Sequence, residues 1–134
     1  MHIMANTTFK RSERIKSKRI IDSMFCSKSS SHAVYPLRVV YKEYENPTAI
    51  LVSVAKKRFK RAVHRNRIKR LIREAYRLNK GPLLSLLENR NKSLAVAFIF
   101  ISEKMPTFEK VESSINKMLT LIIEDMNKED KKDA

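Results

Sequence analysis

The chain has 134 residues, a formal net charge of +15, one cysteine and one glycine. This length is enough for one domain with one hydrophobic core. The lone cysteine, Cys26, excludes an internal disulfide and a multi-cysteine zinc site, and the lone glycine excludes a glycine-rich phosphate loop. The single cysteine suits a reducing cytosol, so we expect a cytoplasmic protein. No apolar run reaches the ~18 residues of a membrane span, so we expect no membrane contact.

The positive charge is concentrated in two segments. Residues 1–28 contain seven Lys or Arg and two acids, and residues 56–77 contain eleven Lys or Arg and one acid. Their net charges are therefore +5 and +10, and the rest of the chain is balanced. Such a field attracts a polyanion and destabilises a compact protein that has no counter-charge nearby. Nucleic acid is therefore the first candidate partner.

The first half of the chain is predicted to contain a basic arm, a helix and two strands. Residues 1–16 are polar and basic and are expected to be extended, and a short amphipathic helix follows over about 18–27. Residues 27–32 are rich in serine and are predicted to form a loop. Alternation predicts a strand over 34–44 whose odd-numbered residues share one face, and β-branched residues predict a strand over 48–55. The turn between these strands predicts a hairpin.

The second half begins with the basic run, which predicts an amphipathic helix over about 61–78. Its cationic back opposes an apolar stripe formed by Ile68, Leu71, Ile72 and Ala75. A short helical piece over 82–88 and a strand over 94–101 follow, and this strand is apolar on both faces, as a covered central strand would be. The last helix opens near Pro106, and the tail over 128–134 is expected to fray.

The order of elements predicts one α+β domain over residues 1–134, in which helices pack on a small mixed sheet. If the strands on either side of the basic helix are parallel, they form a β-α-β unit, and the general rule makes that crossover right-handed.

The basic helix carries the strongest functional signal. A solvated helix face normally mixes both signs at i,i+4 spacing, which stabilises the helix. Here Glu74 is the only acid among eleven bases, so like charges such as Lys69 and Arg73 repel each other. Phosphates would supply the missing counter-charge, and the excess of Arg over Lys favours bidentate phosphate contacts. The pattern therefore favours a surface that binds nucleic acid.

The sequence contains no constellation that predicts catalysis or metal binding by the protein. His2, His32 and His64 are scattered, and the late acids alternate with lysines as on a solvated helix face. Cys26 has no matched base and is expected to be a small buried hydrophobe. We therefore predict no catalytic residue and no metal ligand, which disfavours a self-sufficient nuclease. A structural RNA-binding protein of the ribosomal type, without a processing role, remains an alternative.

One long pattern resembles a known family. Residues Ser53-Val54-Ala55-Lys56-Lys57, a gap of seven, and then RNRIKRLIREAY over 65–76 resemble the signature of the bacterial ribonuclease P protein subunit. The resemblance implies an α-β-β-β-α-β-α fold with a left-handed crossover around the basic helix, against the general rule. It implies a cytoplasmic subunit that assists ribonuclease P RNA in removing the 5′ leader of precursor tRNA. Catalysis and Mg²⁺ would belong to the RNA, and one monomeric protein without its own cofactor would serve each RNA.

The resemblance also implies two binding surfaces and a basic arm. The surface for the catalytic RNA would comprise Arg58, Lys60, Arg61, Arg65, Asn66, Arg67, Lys69, Arg70 and Arg73. The cleft for the single-stranded leader would comprise Ile21, Phe25, Tyr35, Val39, Tyr41 and Lys56. The arm would comprise Lys10, Arg11 and Arg14.

Four of these assignments have alternatives. Lys10 and Arg11, together with Phe9, are equally suited to a disordered basic arm that binds by unspecific electrostatic attraction. Ile21 stands where the family has an aromatic residue, so it can pack against a base but cannot stack on one. Phe25 is equally suited to closing the first helix onto the sheet as a core residue. Tyr35 and Tyr41 are equally suited to ordinary cross-strand packing.

Overall fold

A four-stranded mixed sheet organises the fold in the computed structural model, which describes Arg14 and residues 29–133. In chain order the strands are β1 (Ser30–Val34), β2 (Leu37–Glu43), β3 (Ala49–Val54) and β4 (Leu94–Phe100). They lie in the order β1-β2-β4-β3, and β4 is antiparallel to β2 and parallel to β3. The α+β fold class predicted from the sequence is therefore confirmed.

Three helices accompany the sheet in the described part of the chain. They are α1 (Ala62–Asn79), α2 (Gly81–Asn89) and α3 (Phe108–Asp133). The bounds of α1 and α2 agree with the predicted basic helix and the short helical piece after it. The predicted helix over 18–27 lies outside the described residues. Among the helices that the structure describes, none is long and apolar enough to cross a membrane.

The strand pairing corrects the predicted hairpin and the predicted loop. β2 and β3 do not pair, because β4 lies between them. The hairpin is instead formed by β1 and β2, which are joined at Tyr35-Pro36 through a cis peptide bond. Residues 30–32, expected to be loop, are strand, because an exposed edge strand tolerates the serines that the pattern read as a loop. The chain does reverse direction after β2, but β3 lies one strand away from β2, and β4 occupies the position between them.

The β3-α1-α2-β4 segment forms the predicted β-α-β unit, since β3 and β4 are parallel. The handedness of this crossover stays a prediction. At the end of the chain, α3 continues to Asp133. The helix thus extends through most of the segment for which the sequence predicted fraying.

The main core lies between one face of the sheet and the helices. Every second residue of the strands points into it, and α1 contributes Ile68, Ile72 and Ala75 from its predicted apolar stripe, with Leu71 half-buried beside them. Tyr76 of α1 packs at 5.9 Å between ring centroids against Phe98 of β4. Burial of each large apolar side chain contributes about 1.5 to 3 kcal/mol, so this stripe fixes which face of α1 remains outside.

The opposite face of the sheet carries a second, smaller apolar cluster. It is formed by a set of mostly small apolar residues, which we call the alanine face: Val40, Ala49, Leu51, Ala95, Ala97 and Ile99. Ala95 and Ala97 are fully buried, and so are Val96 and Phe98 on the core side. The strand β4 is therefore buried on both faces, as its uniform apolar sequence predicted.

Candidate nucleic-acid interface

The loop between β3 and α1 presents a row of cations. Ala55 accepts hydrogen bonds through its carbonyl from the backbone N–H groups of Arg58 at 3.1 Å and Phe59 at 3.2 Å, which form a tight turn. Phe59 is buried, with its ring centroid 5.8 Å from that of Phe100. Because Phe59 anchors the loop in the core, its polar neighbours are directed outward. The exposed cations of this loop are Lys56, Lys57, Arg58, Lys60 and Arg61.

Arg65 links this loop to the first turn of α1. Its Nη1 donates hydrogen bonds to the carbonyl oxygens of Phe59 at 2.8 Å and Lys60 at 2.9 Å. The Arg65 side chain is half-buried, whereas Asn66 and Arg67 are exposed beside it. The structure therefore gives Arg65 a role in shaping the loop, in addition to the phosphate contact implied by the resemblance.

The middle of α1 and Arg14 form a shallow basic depression of about 490 Å³. Arg14 reaches this place because it forms an isolated parallel β-bridge with Ile50 of β3. Burial and, secondly, the charge of Arg14 lower the pKa of Arg73. The described residues that line the depression are Arg14, Asn66, Arg70, Arg73, Glu74 and Arg77.

Glu74 is the one acid among those lining residues, and Arg77 binds it. The Arg77 Nε lies 3.1 Å from Glu74 Oε2, and a second hydrogen bond joins Nη2 to Oε1. The hydrogen bond from Arg77 holds the pKa of Glu74 below its usual value, although partial desolvation opposes the shift. The positive charge of Arg77 therefore balances the negative charge of Glu74. The remaining arginines give the depression the chemistry of an anion site.

The structure brings together most of the predicted surface for a catalytic RNA. Asn66, Arg67 and Arg70 are exposed on α1, and Lys69 and Arg73 are half-buried on the same helix. The exposed loop cations directly precede them in the chain. Of the predicted arm, Arg14 lies at the depression, while Lys10 and Arg11 lie outside the described residues.

The predicted leader cleft is not a single surface in the described part of the chain. Val39 is fully buried and Tyr41 nearly so, on the core side of the sheet. The Tyr41 hydroxyl hydrogen-bonds Asp125 of α3. Placing these two residues on an open cleft floor was wrong, because odd-numbered positions of β2 face the helices. Ile21 and Phe25 lie outside the described residues.

Two other predicted cleft residues are exposed at one end of the sheet. Lys56 follows β3, and Tyr35 lies in the β1–β2 turn. Tyr35 is 70% exposed, and its hydroxyl donates a hydrogen bond to Ser102 Oγ at 2.8 Å. The cross-strand packing considered for Tyr35 is therefore wrong for this residue, whereas Tyr41 does have a packing role.

The sequence reasoning missed the accessible rim of the alanine face. On this face Ile99 of β4 pairs with Arg38 of β2 on one side and with Ser53 of β3 on the other. Arg38 is exposed, and Ile99 and Ser53 are half-buried. The alternation of β2 does show that its even-numbered residues share a second face. The alternation does not show which of the two faces the helices cover.

Comparison with known proteins gives a consistent result. The family model described as Ribonuclease P matches residues 9–122. The ribonuclease P protein component of Porphyromonas gingivalis is 46% identical over 116 residues, covering 84% of each chain. That of Chlorobium phaeobacteroides is 29% identical over 126 residues, covering 84% of this chain and 86% of the relative.

Solved structures share the fold. The RNase P protein of Staphylococcus aureus superposes with a TM-score of 0.66 at 23% identity, covering 84% of this chain and 96% of that one. The protein from Thermotoga maritima gives 0.64 at 22% identity, covering 80% and 94%. With the basic helix, the mixed sheet and the family match in agreement, this chain belongs to the ribonuclease P protein family, the protein components of a tRNA-processing ribonuclease.

Proposed function

We propose that this chain is the protein subunit of a ribonuclease P holoenzyme. It binds the catalytic RNA and the 5′ leader of precursor tRNA, and it promotes endonucleolytic removal of the leader. The observation that carries this proposal is the exposed basic surface of α1 and the loop before it, in a chain that belongs to the family. We infer a monomeric protein, one per catalytic RNA.

The catalytic RNA is assigned to the surface formed by the loop cations and the outer face of α1. Guanidinium groups bind phosphates through paired hydrogen bonds, and the depression beside Arg14 offers several of them within one small volume. RNA binding would also relieve the repulsion among these like charges. Because the protein reduces repulsion between the catalytic RNA and its substrate, it lowers the Mg²⁺ concentration that the reaction requires.

The leader is assigned to the rim of the alanine face. Ile99 offers an apolar contact for a base, and Arg38 and Lys56 lie at the same end of the sheet for the leader phosphates. A half-exposed apolar side chain flanked by cations suits a single strand, whose bases are available for packing. This assignment replaces Val39 and Tyr41 as the cleft floor and keeps Lys56.

Catalysis and its Mg²⁺ are assigned to the RNA partner. The support is chemical: Asn66, Arg67 and Arg70, which are exposed on α1, bind phosphates but are poor general bases at neutral pH. The exposed imidazole of His64 could accept a proton, but no carboxylate in the described part of the chain pairs with it. The protein's part is to position two RNAs relative to each other.

The test is cleavage of a 5′-extended precursor tRNA at low Mg²⁺ with a bacterial ribonuclease P RNA alone, the protein alone and both together. We expect cleavage only in the mixture. Cleavage by the protein alone would contradict the assignment of catalysis to RNA. If the RNA is active at high Mg²⁺ but the protein gives no rescue at low Mg²⁺, the chain is instead a structural RNA-binding protein.

A further inference from the structure

A groove at the turn between β1 and β2 lies apart from the basic depression on α1 and from the rim of the alanine face, and of the leader-cleft residues that the resemblance implies only Tyr35 lines it. It has a volume of about 560 Å³ and lies between this turn, the connection from β4 to α3, and the first turns of α3. We call it the Tyr35 groove; the lining residues that matter here are Tyr35, Lys104, Met105, Pro106, Lys110 and Lys117. Its volume is in the range of about 300 to 1,000 Å³ that is usual for ligand sites.

The Tyr35 ring is anchored at its tip and open along its sides. The hydroxyl donates to Ser102 Oγ at 2.8 Å, and the same oxygen accepts a hydrogen bond from the backbone N–H of Lys104 at 3.1 Å. Ser102 is only 4% exposed, so the tip of the tyrosine is fixed in the protein. The backbone N–H of Ile101 also donates to the Pro36 carbonyl at 2.9 Å, which ties the turn to the same connection. A 70% exposed ring held in this way is a pre-ordered stacking platform.

The lining of the groove combines apolar and cationic side chains. Met105 is 38% exposed, and Pro106 is half-buried next to it. Lys104, Lys110 and Lys117 are exposed at the rim, and Glu109 is the one acid among the described lining residues. A ligand with a flat aromatic group and nearby negative charges matches this combination. Nucleotides of a single RNA strand carry both groups, whereas paired bases hide their faces.

The groove continues the basic surface across one end of the sheet. Leu37, Phe100 and Val54 form the last row of paired residues at that end. The Tyr35–Pro36 turn adjoins Leu37 on one side of this row, and the loop that begins at Ala55 adjoins Val54 on the other side. With strands about 4.8 Å apart, two to three spacings separate the turn from the loop, a distance of about 10 to 14 Å. A strand of RNA bound to the loop cations can therefore extend toward the groove.

We propose that the Tyr35 groove is a second binding site for single-stranded RNA, in which a base stacks on Tyr35 and its flanking phosphates lie near Lys104, Lys110 and Lys117. The choice of RNA as the ligand rests on the proposed function. The site itself is separate from the basic depression on α1 and from the rim of the alanine face.

The test uses the full chain and a fluorescently labelled, single-stranded adenylate dodecamer, with affinity measured by fluorescence anisotropy. We expect Tyr35→Ala to weaken binding about tenfold, as loss of one stacked base predicts, and Tyr35→Phe to retain most of the affinity. The combined change Lys104→Ala, Lys110→Ala and Lys117→Ala should lower the salt dependence of binding. The control is Lys128→Ala, an exposed lysine of α3 about 27 Å along the helix from Lys110.

Amide chemical shifts locate the bound dodecamer independently of protein stability. We expect RNA to shift the signals of residues 101–107, and to do so also in a chain with Arg67→Ala and Arg70→Ala. Unchanged affinity in the Tyr35→Ala chain would overturn the proposal. Shifts of residues 101–107 with hexaglutamate but not with RNA would overturn it too, and would assign the groove to an acidic protein segment.

The low-Mg²⁺ cleavage assay separates the two proposals. If the wild-type chain activates cleavage but Tyr35→Ala leaves dodecamer affinity unchanged, only the groove assignment fails. If the chain binds the dodecamer through Tyr35 but does not activate cleavage, the groove stands and the holoenzyme role fails.

Discussion

His32 and Asp125, ninety-three residues apart in the chain, are joined by a hydrogen bond of 2.6 Å between Nε2 and Oδ2. The same carboxylate oxygen accepts a hydrogen bond from the Tyr41 hydroxyl, and the His32 and Tyr41 rings stack with centroids 6.2 Å apart. Ser114 of α3 adds a hydrogen bond from Oγ to the Val34 carbonyl at 2.6 Å. The edge of the sheet is thus fastened to α3 by a polar cluster as well as by the core.

Asp125→Asn tests this cluster through the pH dependence of stability. Desolvation raises the pKa of Asp125, but the hydrogen bonds from Tyr41 and His32, with the charges of His32 and Lys128, outweigh it, so the net shift is downward from 3.8. A depressed folded-state pKa stabilises the protein above the unfolded value, and that stabilisation is lost as pH falls through the folded value. We expect the substitution to lower the free energy of unfolding by about 1 to 2 kcal/mol at pH 7.

The measurement is urea unfolding of both chains from pH 7 down to pH 2. The stability difference should be largest above pH 4 and shrink as pH falls below 3.8, the ordinary value for this carboxyl group. The control is Glu124→Gln, which removes a negative charge from an exposed neighbour. Equal pH profiles for the two substitutions would show that Asp125 gains nothing from its partners.

Removing Arg67 and Arg70 together tests the surface assigned to the catalytic RNA. Both side chains are exposed on α1, so Arg67→Ala with Arg70→Ala should leave the circular dichroism spectrum and the unfolding midpoint unchanged. Each lost phosphate contact should lower the slope of log affinity against log salt by about 1. We expect a total change of about 2 for binding to ribonuclease P RNA. The same slope in the variant and in wild type would remove this face of α1 from the interface.

Arg65 should behave differently from its neighbours. Because it donates to two loop carbonyl groups, Arg65→Ala should lower the free energy of unfolding by about 1 kcal/mol and weaken RNA binding. Amide hydrogen exchange should become faster in residues 57–61. Arg67→Ala is the matched control, and it should weaken RNA binding without faster exchange. Unchanged exchange in the Arg65 variant would contradict the anchoring role.

Val39 and Ile99 test which face of the sheet holds the leader. Val39→Ala should cost about 2 kcal/mol of stability, because it leaves a cavity in the core, while the ratio of precursor to mature tRNA affinity stays the same. Ile99→Ala should lower the affinity for precursor tRNA about fivefold and leave mature tRNA binding unchanged, since mature tRNA lacks the leader that we assign to the Ile99 rim. The reverse outcome would return the leader to the core-side residues.

The predictable parts of this fold are those encoded by local periodicity. The stripe of Ile68, Ile72 and Ala75 predicted α1, and the apolar run after Ser93 predicted a strand buried on both faces. The pairing of β2 with β4 was not predictable in this way, because it joins segments that are more than fifty residues apart. Periodicity also showed that Val39 and Val40 point to opposite faces, but only the packing of the helices decides that Val39 joins the main core and Val40 the smaller cluster.

The candidate site likewise has a part that the local sequence predicts and a part that depends on contacts between distant residues. Charge imbalance alone located the cationic face of α1, since a run with one acid among eleven bases needs an external counter-charge. The place of Arg14 beside Arg73 could not be predicted, because it depends on a β-bridge to Ile50. The exposure of Tyr35 likewise depends on the turn that begins at that residue and on Ser102, far along the chain.

The central position of β4 also sets the order in which a newly made chain can complete its sheet. The strands β1, β2 and β3 are synthesised by residue 54 and α1 by residue 79, but the strand that joins β2 to β3 ends only at residue 100. At about 5 to 20 residues per second, synthesis from residue 79 to residue 100 takes about 1 to 4 s. During that time the cations of residues 56–77 have been made but the sheet beneath them is incomplete. The cationic surface therefore acquires its final shape only once β4 has been added.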